Sequence, residues 1–252
     1  MYSDIVDLRE FYLSPLGQAV RRLLRARLRR IWPNVKGERV LALGYGTPLL
    51  RALLGEAETL MAMMPAAQGV AYWPREAPNV SALVDIEDLP LPDSSIDRVI
   101  LMHALEGAAE AGILLREIWR VLKSGGRVLM IVPNRRGIWA HSDRTPFGTG
   151  EPYSGFQIKD ALRDHGFLVD RTWRALYMPP SQSRLWLSMA DTIETIGEKL
   201  FPGFGGLHVM EAGKQIYAPL AVKSRLTRHR LVLPLPMPAT GPVPAGRSAE
   251  SA

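Results

Sequence analysis

From residue 39 to residue 134, short apolar runs alternate with helical segments. Nothing else in the chain limits its possible folds so tightly. Arg39-Val-Leu-Ala-Leu-Gly44 is an apolar run ending in glycine, the pattern of a strand buried on both faces of a parallel sheet. Thr47-Pro48 supplies a helix start, with Thr suited to the N-cap and Pro to the first helical position. Further strands are predicted at 59–64 (closed by Pro65), 80–85, 97–103 and 127–132. Before the last of these, a helix over 109–122 sets Ile113, Leu114, Ile118, Val121 and Leu122 on one face, and Ser124-Gly125-Gly126 stops it. Strands separated by helical segments of this length require crossover connections. The predicted class is therefore α/β, a doubly wound and mostly parallel sheet.

The flanks are less regular. Leu16, Val20, Leu23, Leu24, Leu28 and Ile31 keep helical spacing, so an amphipathic helix is predicted over 11–32. Arg21, Arg22, Arg25 and Arg29 gather on its other side. They read either as a solvated face or as a surface for RNA, acidic lipid or an acidic partner. Residues 133–155 show no periodicity. A loop of that length is usually functional or disordered, and Trp139 and Phe147 argue for order. A helix over 156–165, a strand over 168–177, a helix over 184–200 and a strand over 208–217 are predicted to follow. After Ser224 the chain is rich in proline and is predicted to be unstructured. The resulting division is a helical segment 1–36 packed on the domain, a domain 37–222, and a basic, then proline-rich, tail 223–252.

Charge follows that division. The 252 residues carry a formal net charge of +6. Residues 1–36 contribute +5 and 223–252 contribute +4, which leaves 37–222 at −3. A nucleic acid would therefore be met by the basic termini rather than by the body of the domain. With no cysteine, the chain has no disulfides, thiolate metal sites or cysteine nucleophiles. The five histidines lack metal-ligand spacing, and no metal is expected. The first ten residues carry acids where a secretory signal would carry basic residues ahead of an apolar stretch. No apolar run approaches the roughly 18 residues of a membrane span, so no transmembrane segment and a cytoplasmic location are expected.

Three quotations from the chain carry a resemblance. They are Asp85-Ile-Glu-Asp-Leu-Pro-Leu-Pro-Asp-Ser-Ser-Ile-Asp97 with its continuation Arg-Val-Ile-Leu-Met-His-Ala-Leu-Glu106, then Leu115-Arg-Glu-Ile-Trp-Arg-Val-Leu-Lys-Ser-Gly-Gly126, then Arg127-Val-Leu-Met-Ile-Val-Pro-Asn134. Together they resemble the class I S-adenosylmethionine-dependent methyltransferases of the type 11 group. The resemblance implies a Rossmann-like, seven-stranded, mostly parallel sheet with helices on both faces and an antiparallel final hairpin. It also implies S-adenosylmethionine as cofactor, and methyl transfer to a small or medium acceptor.

The resemblance assigns the cofactor to three places. The turn after the first strand keeps Gly44 and Gly46, but Ala42 stands where the family has an acid, Pro48 where it has a third glycine, and Tyr45 where it often has a small residue. The end of the second strand, Met61-Ala-Met-Met-Pro65, lacks the family's ribose-binding acid. One lost acceptor costs on the order of 1–3 kcal/mol. Asp85-Ile86, assigned to adenine, matches, although Asp85 also reads as a turn or capping acid. The cofactor is thus expected to bind weakly or not at all. A non-catalytic methyltransferase-like protein, a regulatory or scaffold partner of another enzyme, is the alternative. A nicotinamide enzyme is disfavoured, because Gly44-x-Gly46-x-x-Leu49 lacks the third glycine of that fingerprint.

Methyl transfer asks little of the protein beyond alignment, with a general base only where the acceptor must lose a proton. Side chains for it must sit at the carboxyl ends of the fourth and fifth strands. His103 is predicted either to titrate there or to line the cofactor site. Glu106, Asn134, Arg135, Arg136, His141, Asp143, Arg144 and Tyr153 are the other candidates. Of these, Asn134, Arg136, His141 and Tyr153 are assigned to the acceptor, a small molecule, and Arg135 and Arg136 would grip one that is anionic. His208 is expected to be structural.

Overall fold

A computed structural model describes residues 2–215. The elements run α1 (Ile5–Leu13), α2 (Pro15–Ile31), β1 (Arg39–Gly44), α3 (Thr47–Leu50), β2 (Thr59–Pro65), β3 (Ser81–Val84), β4 (Ile96–Met102), α4 (Ala111–Val121), β5 (Leu122–Pro133), α5 (Gly155–Asp164), β6 (Phe167–Ala175), α6 (Arg184–Ser188), α7 (Ala190–Leu200) and β7 (Leu207–Lys214). The seven strands form one sheet in the order β3-β2-β1-β4-β5-β7-β6. β1 to β5 pair in parallel; β7 runs antiparallel between β5 and β6. This is the doubly wound sheet with a final antiparallel hairpin that the sequence predicts.

Strand periodicity divides the core into two layers. Val40, Ala42, Ile100, Met102, Leu129 and Ile131 face one way, toward Leu16, Val20, Leu24 and Leu28 of α2. Leu41, Leu43, Val99, Leu101, Val128 and Met130 face the other, toward Leu114, Leu115 and Ile118 of α4 and Ile158 and Leu162 of α5. Each central strand is buried on both faces, which explains why it reads as an unbroken apolar run.

The single helix predicted over 11–32 is in fact two. Ser14, extended at φ −66° and ψ 158°, ends α1 and caps α2, its hydroxyl accepting from Gly17 N–H at 3.1 Å. Pro15 forces this break, because the residue before a proline is driven out of the helical region. Nor are the arginines of α2 simply solvated. Arg22 pairs with Asp191 at 3.2 Å, Arg29 pairs with Glu56, and Arg25 donates to the Pro48 carbonyl. Buried Arg27 grips Glu198 through two bonds of 2.6 and 2.7 Å.

Smaller corrections follow the same logic. Gly46, not Thr47, is the N-cap of α3, and Thr47 is buried inside it. The helix predicted over 184–200 divides at Met189. Leu176, at φ +60°, lies beyond the end of β6, which was expected to run to 177. The long loop is ordered by two 3-10 turns, Ile138–His141 and Pro146–Gly148. Trp139 and Phe147 are both buried there. The proline-rich tail and the last residues of the strand predicted over 208–217 lie outside the described residues.

Candidate functional site

The strand order reverses between β1 and β4, and the crevice at the carboxyl ends of such strands is where open α/β sheets hold ligands. β1 leads into Gly44-Tyr45-Gly46. Gly44 has φ +78°, and a Cβ there would stand 2.2 Å from the Met102 carbonyl oxygen of β4. A Cβ on Gly46 would stand 2.6 Å from that of Ala42. The turn's own packing therefore demands both glycines. Tyr45 is buried, its ring 5.6 Å from that of Tyr12 on α1.

β4 delivers His103, buried and in the left-handed region at φ +54°. Its Nε2 lies 2.9 Å from the Tyr12 hydroxyl, and its Nδ1 lies 3.4 Å from Glu106 Oε1. Its carbonyl accepts a 2.8 Å bond from Gln68 Nε2, and its ring stands 4.8 Å from that of Phe147. Glu106 is buried, yet neither carboxylate oxygen has a hydrogen-bond donor among the described residues. Gln68 Oε1 and Tyr2 Oη are likewise buried without a partner. Orphaned groups of this kind are rare in folded proteins, and here they gather around one histidine.

The electrostatics follow from that crowding. Burial, and after it the charge of Glu106, pushes the Tyr2 phenol up. Burial is also the main cause of the upward shifts of Tyr12 and Tyr153, with Glu106 a lesser contributor to each.

The chain's first residues lie over this crevice. Ile5 N–H donates to the Gln68 carbonyl at 2.9 Å, and the Phe11 ring lies 6.0 Å from that of Phe147. Tyr2 packs so closely on Gly107 that a Cβ there would fall 2.3 Å from its ring.

The candidate residues fall into three groups. Gly44, Tyr45, Gly46 and His103 meet at the crevice. Asp85, exposed at the end of β3, accepts from Glu87 N–H at 2.9 Å in a turn, while Ile86 is buried against the α4 face. Asn134 is buried, its amide donating to the Gly205 carbonyl at 2.7 Å and its carbonyl accepting from Arg136 N–H at 3.2 Å. It also bridges to Tyr153 through the backbone, whereas Arg136 and His141 are exposed. Sequence reasoning passed over Tyr2, Tyr12 and Gln68, which no local pattern marks. Among the described residues no cluster of three or more His, Asp or Glu has the arrangement of a metal site, and no helix is long and apolar enough to cross a membrane.

Comparison with known proteins shows what the chain is similar to. Residues 41–130 match a family model described as a methyltransferase domain. The ubiquinone/menaquinone biosynthesis C-methyltransferase of Rubrivivax gelatinosus is 29% identical over 155 residues, which is 60% of this chain and 62% of that protein. The chain spans about half to three-fifths of the length of the curated relatives it matches. A Thermotoga maritima methyltransferase structure, described as a possible histamine N-methyltransferase, superposes with a TM-score of 0.61 at 17% identity, covering 82% of this chain and 94% of that one. A [4+2]-cyclase superposes with a TM-score of 0.54 at 22% identity, covering 79% and 82%. The chain is thus similar in sequence to a methyltransferase domain over residues 41–130, and similar in fold to solved methyltransferases over most of its length.

Proposed function

We propose that the chain is an S-adenosylmethionine-dependent methyltransferase whose cofactor cleft lies beneath α1, between the Gly44-Tyr45-Gly46 turn and Glu106. One observation carries this reading. Gln68 Oε1 and both Glu106 oxygens are buried acceptors without donors, at the carboxyl ends of β2 and β4. Each such group costs on the order of 1–3 kcal/mol unless a ligand supplies the donor. A nucleoside brings hydroxyl and amino donors of that kind, so the residues present fit the cofactor's nucleoside end. Gln68 stands three residues beyond Pro65 and takes the place of the acid that β2 lacks.

In this reading the Gly44–Gly46 turn, Gln68, Asp85 and Ile86 hold the cofactor, which when bound supplies an activated methyl group. His103 forms the wall between cofactor and acceptor, its ring fixed between the Tyr12 hydroxyl and Glu106. Tyr153 and the exposed Arg136 and His141 of the long loop face the acceptor. Tyr2 and Tyr12 move aside when the cleft fills.

The second reading, a non-catalytic partner of another enzyme, draws support from Ala42 and from the packed pair Tyr12 and Tyr45 beside the turn. The fold alone does not decide between them, since the same architecture hosts unrelated chemistries.

Calorimetric titration of the full chain with S-adenosylmethionine and with its demethylated product separates the two. Binding is expected, weakened roughly tenfold or more in Gln68→Ala. No heat from either compound at millimolar concentration would leave the second reading standing.

A further inference from the structure

A cleft of about 970 Å³ opens between α1, α2, the start of α3 and the segment after β2. Four parts of the chain send arginines into its walls: Arg9 from α1, Arg21 and Arg25 from α2, Arg51 from the turn after α3, and Arg75 from the segment after β2. Among the described residues Glu10 and Glu76 are the only acids lining it, and of the five arginines only Arg51 makes an ion pair, with Glu76.

The contrast along α2 is informative. Arg22, Arg27 and Arg29 each find a carboxylate. Arg21 and Arg25, on the cleft face, find none among the described residues. Burial, then Arg21 and Arg51, pull the Arg25 guanidinium down to about 10. Gathering like charges in a half-enclosed space opposes folding unless something anionic neutralises them. Tyr72 is exposed at the rim, and Trp73 and Tyr45 complete an aromatic wall.

We infer that this cleft binds a small phosphorylated compound with a flat ring, the phosphoryl group between Arg21, Arg25 and Arg75 and the ring against Tyr72 and Trp73. Guanidinium forks match phosphoryl oxygens in geometry as well as charge, and arginine and aromatic faces together favour an anion attached to a ring. The site shares the Tyr12 and Tyr45 walls with the crevice at His103, but its arginines are not among the residues assigned to the cofactor, and it does not depend on the methyltransferase reading.

Inorganic pyrophosphate and phenyl phosphate are the probes, titrated calorimetrically into the full chain at low salt. Both should bind with dissociation constants below about 1 mM and weaken as salt rises. Arg21→Gln/Arg75→Gln should weaken both roughly tenfold or more. A folded control, Arg116→Gln/Arg163→Gln at exposed positions of α4 and α5, should change neither. Should the first pair of changes unfold the chain, Arg9→Gln/Arg75→Gln, at two exposed positions, makes the same test. Tyr72→Ala should weaken phenyl phosphate and spare pyrophosphate. The pyrophosphate titration is run without any cofactor, so a failed cofactor titration does not bear on this site. Absence of pyrophosphate binding, or equal binding by the cleft variants and the α4/α5 control, overturns the assignment. Tighter binding of citrate than of pyrophosphate overturns its phosphoryl part.

Discussion

Two stretches of chain cover the carboxyl ends of the strands, and they are anchored differently. The loop over 134–154 is held by groups that are fully paired. Both ends of the Asn134 amide are bonded, Trp139 Nε1–H donates to the Met178 carbonyl at 2.8 Å, and Phe147 is buried. The stretch over 2–13 makes its bonds too, Ile5 to Gln68 and Tyr12 to His103. Yet the Tyr2 phenol within it, and a carboxylate and an amide oxygen beneath it, have no partner among the described residues. Buried polar groups left unpaired cost free energy, and paired ones do not. The loop therefore belongs to the scaffold, whereas the amino-terminal stretch covers polar groups left unpaired among the described residues.

The largest expected effect tests the loop. Trp139 has no exposed surface, and Trp139→Ala removes both its packing and the bond to Met178. Urea unfolding should show a loss of about 3–5 kcal/mol. A loss under about 1 kcal/mol would mean the loop is no better anchored than the stretch beside it.

A smaller effect lies where the loop meets α5. His208 is buried, neither ring nitrogen has a partner, and Gly155 is so close that a Cβ there would stand 3.1 Å from the ring. Burial first, then Arg174 and Lys159, lower its pKa from 6.5 to about 4. As pH falls below 6.5 the unfolded chain takes up a proton that the folded chain refuses. The contribution is therefore whole above 6.5 and drains away toward pH 4. Between pH 7 and pH 5 the stability should fall by about 1–2 kcal/mol. His208→Leu should flatten that slope in pH-dependent urea melts. An unchanged slope would assign it to other groups.

Much of this scaffold is legible in the sequence. β1, β2 and the Val99–Met102 half of β4 are buried on both faces, so their apolar runs are unbroken, and Gly44 and Pro65 mark the ends of the first two. Gly44, Tyr45, Gly46 and His103 are legible as site residues because each lies at a strand end. The rest of the site is assembled across distance. Tyr12 reaches a histidine 91 positions away, and Gln68 one 35 positions away. Arg22 finds its carboxylate on α7 and Arg27 finds one 171 positions on, partners that the spacing within α2 does not show. Helical spacing tells which residues share a face, but not what that face will meet. The break at Ser14-Pro15 was visible in the residues, and the apolar spacing from Leu16 onward masked it.

The smallest expected effect bears on the amino-terminal cover, and its sign matters more than its size. Glu106→Gln removes a buried charge to which nothing donates, and keeps the shape of the side chain. In a scaffold position, where a carboxylate is bonded as Glu117 is by Arg120 and the Leu89 N–H, such a change destabilises. At Glu106 thermal and urea unfolding should instead show a gain of about 1 kcal/mol, because an unpaired buried charge opposes folding. A gain would mark Glu106 as a group kept for something other than stability, at the edge of the proposed cofactor cleft. A loss would show that the carboxylate is paired in solution through His103, 3.4 Å away, and that the amino-terminal stretch is as much a part of the scaffold as the loop.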